Sequence, residues 1–560
     1  MAPTCSLCAY VVPARKGSRV NEEALKTGLE RLMRENLPSY SIPSTVVAID
    51  NLPLSANNKL DVKALSEWTS KNDSSPYPAP ENLLTPFEEK VAAALLEVLS
   101  LPTDQVVSPE TTYGQLGGGS LQACLVLRHL NKSFSFRIHL RQFYRNTVSI
   151  RSLADLILEE RQQTANQSSS DLVKRTILPR DIFHNVGPPS IGHQSHVLLT
   201  GCTGFLGSHL LAEILSTGGT RVSCIVRATN LNSAHNRIKA ALLNWDLWDE
   251  SFTSRIDVYC GDVSKPFLGL STDEYLYLAR QVDTIYHSAA AVSFIAPFSE
   301  LEDANVDGTI EILRFASTLT PKRLTYISTL AVFFGAGNTL PRGLEIPVDK
   351  PQNDILTGYA QSKWVTEQLV NEYARLGGHA LILRPGRLLG STRNYKCPQD
   401  DFTIRLIASI LEMGTAPKLD DIGVNNWEID LTPVDFCARL VHRFSLSGET
   451  GIRHVINKNT VQFETLVNSL GGNIQRVPYR EWLQLIDQSV HLQALSSLFH
   501  EPISDSDERS TFEGLLQKKV FRCSGFDVST GKDESQLLPS TLQLLDGYLR
   551  HNEDIFSNAK

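Results

Sequence analysis

The chain lacks most of what would place it outside the cell, in a membrane or on a nucleic acid. Its 560 residues hold nine cysteines, an odd number at no regular spacing, so a reducing compartment is expected and a disulfide framework is not. Cys5 and Cys8 form a CxxC that no second pair or histidine cluster answers. They read as small buried side chains, and no metal site is expected. No stretch approaches about eighteen uninterrupted apolar residues, and Arg15 and Lys16 follow the first apolar stretch, the reverse of a secretory signal. A soluble, cytoplasmic protein is therefore expected. Basic runs are missing too, and a net charge of −8 argues against nucleic acid or an anionic membrane as partner. There is no internal repeat. At 42% hydrophobic and 20% charged residues the chain is globular, and its length suggests roughly three to four domains.

What is present is concentrated in a few short stretches. Thr200-Gly201-Cys202-Thr203-Gly204-Phe205-Leu206-Gly207 follows the apolar run His196 to Leu199 and opens into a helical segment from Ser208 to Leu215. Strand, glycine turn and helix make a dinucleotide site: glycine lets the backbone turn tightly and approach a pyrophosphate, while free N–H groups and the helix dipole hold the phosphates. The spacing is GxxGxxG rather than GxGxxG, and such a turn also suits a plain tight connection, so its neighbours decide. The next strand, Arg221 to Val226, ends at Arg227. An NAD site carries an acid near this point, whereas Arg suits the 2′-phosphate of NADPH. An ordinary surface Arg at a strand end is the plain alternative. Val258 to Val263 and Thr284 to Ala291 read as later strands whose C-terminal ends meet the same crevice.

Tyr359-Ala360-Gln361-Ser362-Lys363 sets a tyrosine and a lysine at i and i+4, on one helix face. An ammonium near a phenol favours the phenolate, so Lys363 is expected to lower the Tyr359 pKa and let it exchange a proton with a carbonyl oxygen near neutral pH. Upstream, Leu324 to Thr329 reads as a strand ending in the hydroxyls of Ser328 and Thr329.

From about residue 193 to the C-terminus the chain resembles the extended short-chain dehydrogenase/reductase family. The likeness is specifically to the thioester reductase domains that terminate some nonribosomal peptide synthetases, aminoadipate reductases and carboxylic acid reductases. It rests on the motifs above together with Val226-Arg227-Ala228, Gly261-Asp262-Val263, Asn305 to Thr309, Leu383-Arg384-Pro385-Gly386 and Asp430 to Asp435. It implies that Thr329 is the catalytic hydroxyl of a triad with Tyr359 and Lys363, and that Asp262 and Val263 contact the adenine. Asn305 would serve packing or chemistry. The candidate cofactor-binding set is Gly201, Thr203, Gly204, Phe205, Leu206, Gly207, Arg227, Asp262, Val263, Ala289, Tyr359 and Lys363.

A second motif, Tyr113-Gly114-Gln115-Leu116-Gly117-Gly118-Gly119-Ser120-Leu121-Gln122-Ala123, contains more glycine than a serine helix cap requires. It resembles the attachment site of acyl and peptidyl carrier proteins, which implies that Ser120 receives 4′-phosphopantetheine. Gly119 stands where most carriers have a polar residue, and the apolar helix Phe87 to Leu99 fits the small carrier bundle. Leu37 to Pro43 and Leu52 to Asp61, with Lys59, resemble the last segments of adenylate-forming domains, yet no ATP phosphate loop accompanies them.

The expected architecture is multidomain. A small α+β adenylation remnant (1–66) and a proline-rich linker (67–82) precede a helical carrier bundle (83–161) and a second linker (162–192). An α/β Rossmann-type parallel sheet (193–397) and a mostly helical substrate and lid part (398–560) follow, with sheet-completing segments crossing that last boundary. The resemblance implies NADPH-dependent reductive release of a carrier-bound acyl or peptidyl thioester as an aldehyde, or after a second hydride as an alcohol, in secondary metabolite or amino-acid-type biosynthesis. Its partners would be a phosphopantetheinyl transferase and an adenylation or synthetase partner, in trans or as upstream sequence. Two other classes compete: a non-redox releasing or cyclising domain, which the resemblance ties to loss of the catalytic tyrosine, and a carrier scaffold with a vestigial nucleotide fold.

Overall fold

Strands covered on both faces need apolar residues at consecutive positions, not alternate ones. Val197, Leu198 and Leu199 are such a run, and all three are fully buried. The computed structural model describes residues 8–11, 45–48, 84–99, parts of 101–126, 149–160 and 170–185. With short interruptions it also describes 187–333, 345–348, 357–516 and 541–551. Cys5, Lys59 and Ser120 lie outside the described residues. The chain divides into two units, Met1–Asn166 and Gln167–Lys560.

In the first unit, β1 (Cys8–Val11) pairs in parallel with β2 (Thr45–Ala48). Helix α1 (Pro86–Val98) begins with a reciprocal cap: the Thr85 hydroxyl accepts from the Glu88 N–H, and the Glu88 carboxylate accepts from the Thr85 N–H. Its apolar face, with Val91, Leu95 and Leu96, packs on Ile150 and Leu153 of α2 (Ile150–Glu160), together with Leu116 and Val126. Arg151 of α2 reaches back to Glu88 at 3.2 Å.

The second unit opens with β3 (His196–Thr200), α3 (Phe205–Ser216), β4 (Arg221–Val226), α4 (Leu231–Asn244) and β5 (Ile256–Cys260). It continues through α5 (Thr272–Gln281), β6 (Thr284–His287), α6 (Gly308–Ser317), β7 (Arg323–Ile327), α7 (Gly358–Arg375) and β8 (Ala380–Pro385). The seven-stranded sheet runs Gly451–Val455, β8, β7, β6, β3, β4, β5, with every pairing parallel. Chain order reverses between β3 and β6, so their C-terminal ends frame the crevice where a ligand of such a sheet binds. Leu198, Ile285, Leu324 and Ile382 join one core with α5, α6 and α7. Val197, Leu199, Val222, Leu381 and Leu383 join another with α3 and α4.

Two segments past residue 398 return to this sheet. Gly451–Val455 is its last strand. Helix α9 (Val434–Leu446), which was expected over the acyl chain, instead buries Phe436, Cys437, Leu440 and Val441 in the α3 core. Its apolar stripe is what that face of the sheet needs for cover. A third core holds Phe402 of α8 (Phe402–Met413), Trp427, Trp482, Phe499, Phe512 and Tyr548 of α10 (Thr541–His551). Short strand pairs lie among its helices, as between Thr415–Lys418 and Gln475–Pro478.

Candidate active site

The turn after β3 is built for close approach. Gly201 has φ +73°, and a Cβ on it would lie 2.7 Å from the Ala289 nitrogen; one on Gly207 would lie 2.0 Å from the Gly201 oxygen. No side chain fits either position. Helix α3 starts at Phe205, three residues earlier than expected, because Gly204 is its extended N-cap residue and Gly207 falls inside the first turn. Gly204 offers no side-chain cap to the first N–H groups of α3, those of Phe205, Leu206 and Gly207, at the helix end that favours an anion. Thr203 is half-buried in the same turn. Ala289 bonds through its N–H to the Thr200 hydroxyl at 3.1 Å, which fixes the β6 side of the crevice to the β3 side.

Arg227 follows β4 and is exposed. The Arg237 guanidinium, carried by α4, donates to the Arg227 carbonyl. Two arginines thus stand at one strand end, and sequence reading found only the first. The signal was available: Arg237 sits on the exposed face of the helix that follows the strand. Asp262, past β5, accepts from the Ser264 N–H and hydroxyl on Oδ1 at 3.0 and 2.9 Å. Beside it, Val263 packs against Gly308 at the start of α6.

Helix α7 is set by its N-cap, where the Thr357 hydroxyl accepts from the Ala360 N–H at 3.1 Å. Tyr359 is half-buried in its first turn and Lys363 is buried one turn on. Among the described residues the Tyr359 phenol has no hydrogen-bond partner, and burial pushes its pKa above the ordinary value. This corrects the expectation that Lys363 lowers it. The Lys363 amine donates to the Ile327 carbonyl at 2.8 Å and the Tyr326 hydroxyl at 3.2 Å, so it is turned towards the end of β7. Burial pushes Lys363 itself down to about 7, while the Glu367 carboxylate opposes the shift. Thr329, half-buried just beyond β7, accepts from the Ala331 N–H at 3.1 Å, which leaves its own proton to donate.

Behind these groups lies a polar layer that sequence reading passed over. The His287 ring bridges the hydroxyls of Thr200 at 2.8 Å and Thr309 at 3.2 Å, and burial, with Lys363 nearby, pushes it down to about 3. It is neutral. Asn305 accepts from the Ala291 N–H at 2.7 Å and donates to the Ala291 carbonyl at 3.0 Å and the Ser362 hydroxyl at 2.9 Å. Its polar valences are used in tying the loop after β6 to α7, which favours packing over chemistry. It lies in a π-helical turn, Asp303–Asp307. Glu367 and Arg384 form a fully buried ion pair at 2.6 Å.

Fold and site define a nucleotide-dependent reductase of the extended Rossmann type. Residues 199–441 match the NAD-binding family described as Male sterility protein, and residues 89–157 match the family described as Phosphopantetheine attachment site. The crystal structure of the terminal R domain from the myxalamid PKS-NRPS biosynthetic pathway is 31% identical, with a TM-score of 0.55; the match covers 68% of this chain and 97% of that one. A linear gramicidin synthase from Brevibacillus parabrevis is 30% identical over 89% of this chain and 10% of its own length. The L-2-aminoadipate reductase large subunit of Candida glabrata is 27% identical over 94% of this chain and 41% of its own. The chain therefore spans a tenth to two fifths of the length of these two curated relatives. It belongs to the family of terminal reductase domains of nonribosomal peptide synthetases, with a phosphopantetheine carrier region before the reductase. Among the described residues no helix is long and apolar enough to cross a membrane.

Proposed function

We propose that the chain releases an acyl or peptidyl group, held as a thioester on the pantetheine of Ser120, by NADPH-dependent reduction to an aldehyde. The observation that carries this reading is a crevice that pairs a cradle no side chain can enter with a buried tyrosine whose phenol has no hydrogen-bond partner among the described residues. Gly201, Thr203, Gly204, Phe205, Leu206 and Gly207 suit a pyrophosphate, and Arg227 with Arg237 a 2′-phosphate. On this reading Asp262 and Val263 would contact the adenine, Ala289 would line the β6 side, and Lys363 would orient the ribose. A reduced nicotinamide held there would supply the hydride. Thr329 and Tyr359 then donate to the thioester oxygen as it gains negative charge, and Tyr359 gives up its proton. Loss of the thiol leaves the aldehyde. The presence of Tyr359 argues against non-redox release, the reading tied to loss of that tyrosine.

On this reading residues 1–66 are the end of an adenylation domain and 83–161 the carrier. A phosphopantetheinyl transferase modifies Ser120, a synthetase or adenylation partner loads it, and the protein works in the cytoplasm. The test is to load the carrier enzymatically and identify by mass spectrometry what NADPH releases. Ser120→Ala should abolish pantetheine attachment and turnover of the tethered group, yet leave reduction of a concentrated soluble acyl-pantetheine thioester nearly intact, because only effective concentration is lost. Release of a free acid or a cyclised product without NADPH oxidation would sink the proposal.

A further inference from the structure

The end of β7 and strand β8 converge on one carboxylate of α7. Glu367 lies one helical turn beyond Lys363 on α7 and is fully buried. Its Oε1 accepts from the Ser328 hydroxyl at 2.5 Å and from Arg384 Nε at 2.8 Å, and its Oε2 accepts from Arg384 Nη2 at 2.6 Å. Ser328 is the residue before Thr329. Arg384, on β8, carries the grip onward to the Ile346 carbonyl, 3.1 Å from both Nη1 and Nη2, and its guanidinium lies over the Phe333 ring at 4.8 Å. A buried ion pair this well bonded is no simple stabiliser, because the desolvation of two charges offsets most of their attraction. Its placement points to the reacting groups instead.

We propose that Glu367 is a positioning residue, which holds the Thr329 hydroxyl in place through Ser328 and supplies the countercharge of the Lys363 ammonium. This rests on the reading that Thr329, Tyr359 and Lys363 serve reduction with NADPH. Among the described residues, the titratable and charged groups around Lys363 are Tyr359 and Glu367 on its own helix, Tyr326 on β7, neutral His287 on β6 and Arg384 on β8. Glu367 is the anion among them. It opposes the burial that pushes Lys363 down to about 7. Removing its charge leaves the amine between burial and an unneutralised Arg384, so the ammonium is lost at lower pH.

The experiment uses the full chain, NADPH and a soluble acyl-pantetheine thioester from pH 5.5 to 8.5. Two readouts are taken: kcat, and NADPH affinity by fluorescence, which needs no turnover. Rate and affinity should fall as pH rises through the Lys363 pKa, and Glu367→Gln should move that fall down by about one pH unit, the lower end of what a nearby opposite charge contributes. Glu367→Asp should restore most of the shift. Ser328→Ala should lower kcat with the profile unmoved, because it frees Thr329 and leaves the charge. Should Glu367→Gln fail to fold, Arg384→Gln carries the test: it leaves the carboxylate unneutralised, and the fall must move up. A profile that stays in place, with only a uniform loss at every pH, overturns the inference. Wild-type protein that binds NADPH but reduces nothing defeats the proposed function instead, and the binding profile still judges Glu367.

Discussion

The two ends of the crevice handle charge in opposite ways. At the end of β4, Arg227 and Arg237 stand in water, where a guanidinium's attraction for a phosphate is screened by salt. Beneath α7, Lys363, Glu367 and Arg384 are out of water, and each charge depends on its neighbours for its state and position. The difference teaches where selectivity and chemistry reside. On the proposed reading the exposed arginines would distinguish one nucleotide from another at little cost to the fold, and they could be exchanged. Buried groups set proton affinity, and changing one disturbs the rest.

The sharpest way to break this comparison is at the phenol. Tyr359→Phe keeps the ring that packs in the first turn of α7 and removes only the hydroxyl, so NADPH binding should persist while thioester reduction falls by about a hundredfold or more, the range for a positioned acid. Single-turnover rates measured at saturating NADPH decide it. A fully active variant would remove Tyr359 from the chemistry and leave the buried end with a structural role alone. Thr329→Ala should act in the same direction, more mildly, since a hydrogen bond to the oxyanion is lost but the proton donor remains.

At the exposed end the expected effect is smaller and selective. Arg227→Asp should weaken NADPH by about 1–3 kcal/mol while changing NADH little, because only the first carries the 2′-phosphate that the guanidinium would contact on the proposed reading. The loss should shrink as salt is raised. Equal weakening of both nucleotides by fluorescence titration would mean that the exposed pair supports the turn rather than reads the ligand.

How far the sequence shows these two ends follows from distance along the chain. The glycine turn, the first carrier helix and the Tyr359–Lys363 spacing are local, and each is legible because its residues lie within one turn or one helix of each other. The Glu367–Arg384 pair joins a helix to the next strand, seventeen residues apart, and no local pattern announces it. A hint exists, since Arg384 interrupts the apolar run of β8 and Glu367 falls on the buried face of α7. The direction of the Lys363 amine was not legible either. Spacing puts Tyr359 and Lys363 on one face, but the amine's partners come from β7, and which way a long side chain turns is decided by tertiary contacts. That sheet-completing segments cross residue 398 was expected, but α9 was assigned to the lid because its amphipathic pattern states that it is covered and not by what.

The last prediction turns the buried end into a measurement of stability. Lys363 folds with its pKa pushed from an ordinary 10.5 down to about 7. Below pH 7 the folded and unfolded chains both hold the proton, so the full cost of burying an ammonium weighs on the fold. Above it the folded chain sheds the proton while the unfolded chain keeps it, and stability rises with pH until about 10. Lys363→Met removes the group and should be more stable than wild type, most clearly below pH 7. That advantage should shrink by roughly 1 kcal/mol for each pH unit between 7 and 9, the linkage slope of one proton. Denaturant melts of both proteins at pH 6, 7, 8 and 9 measure it. Arg227→Asp, from the exposed end, should show no such slope. A Lys363→Met advantage that is flat across this range would mean that the amine keeps its proton in the fold, and that Glu367 compensates its burial in full.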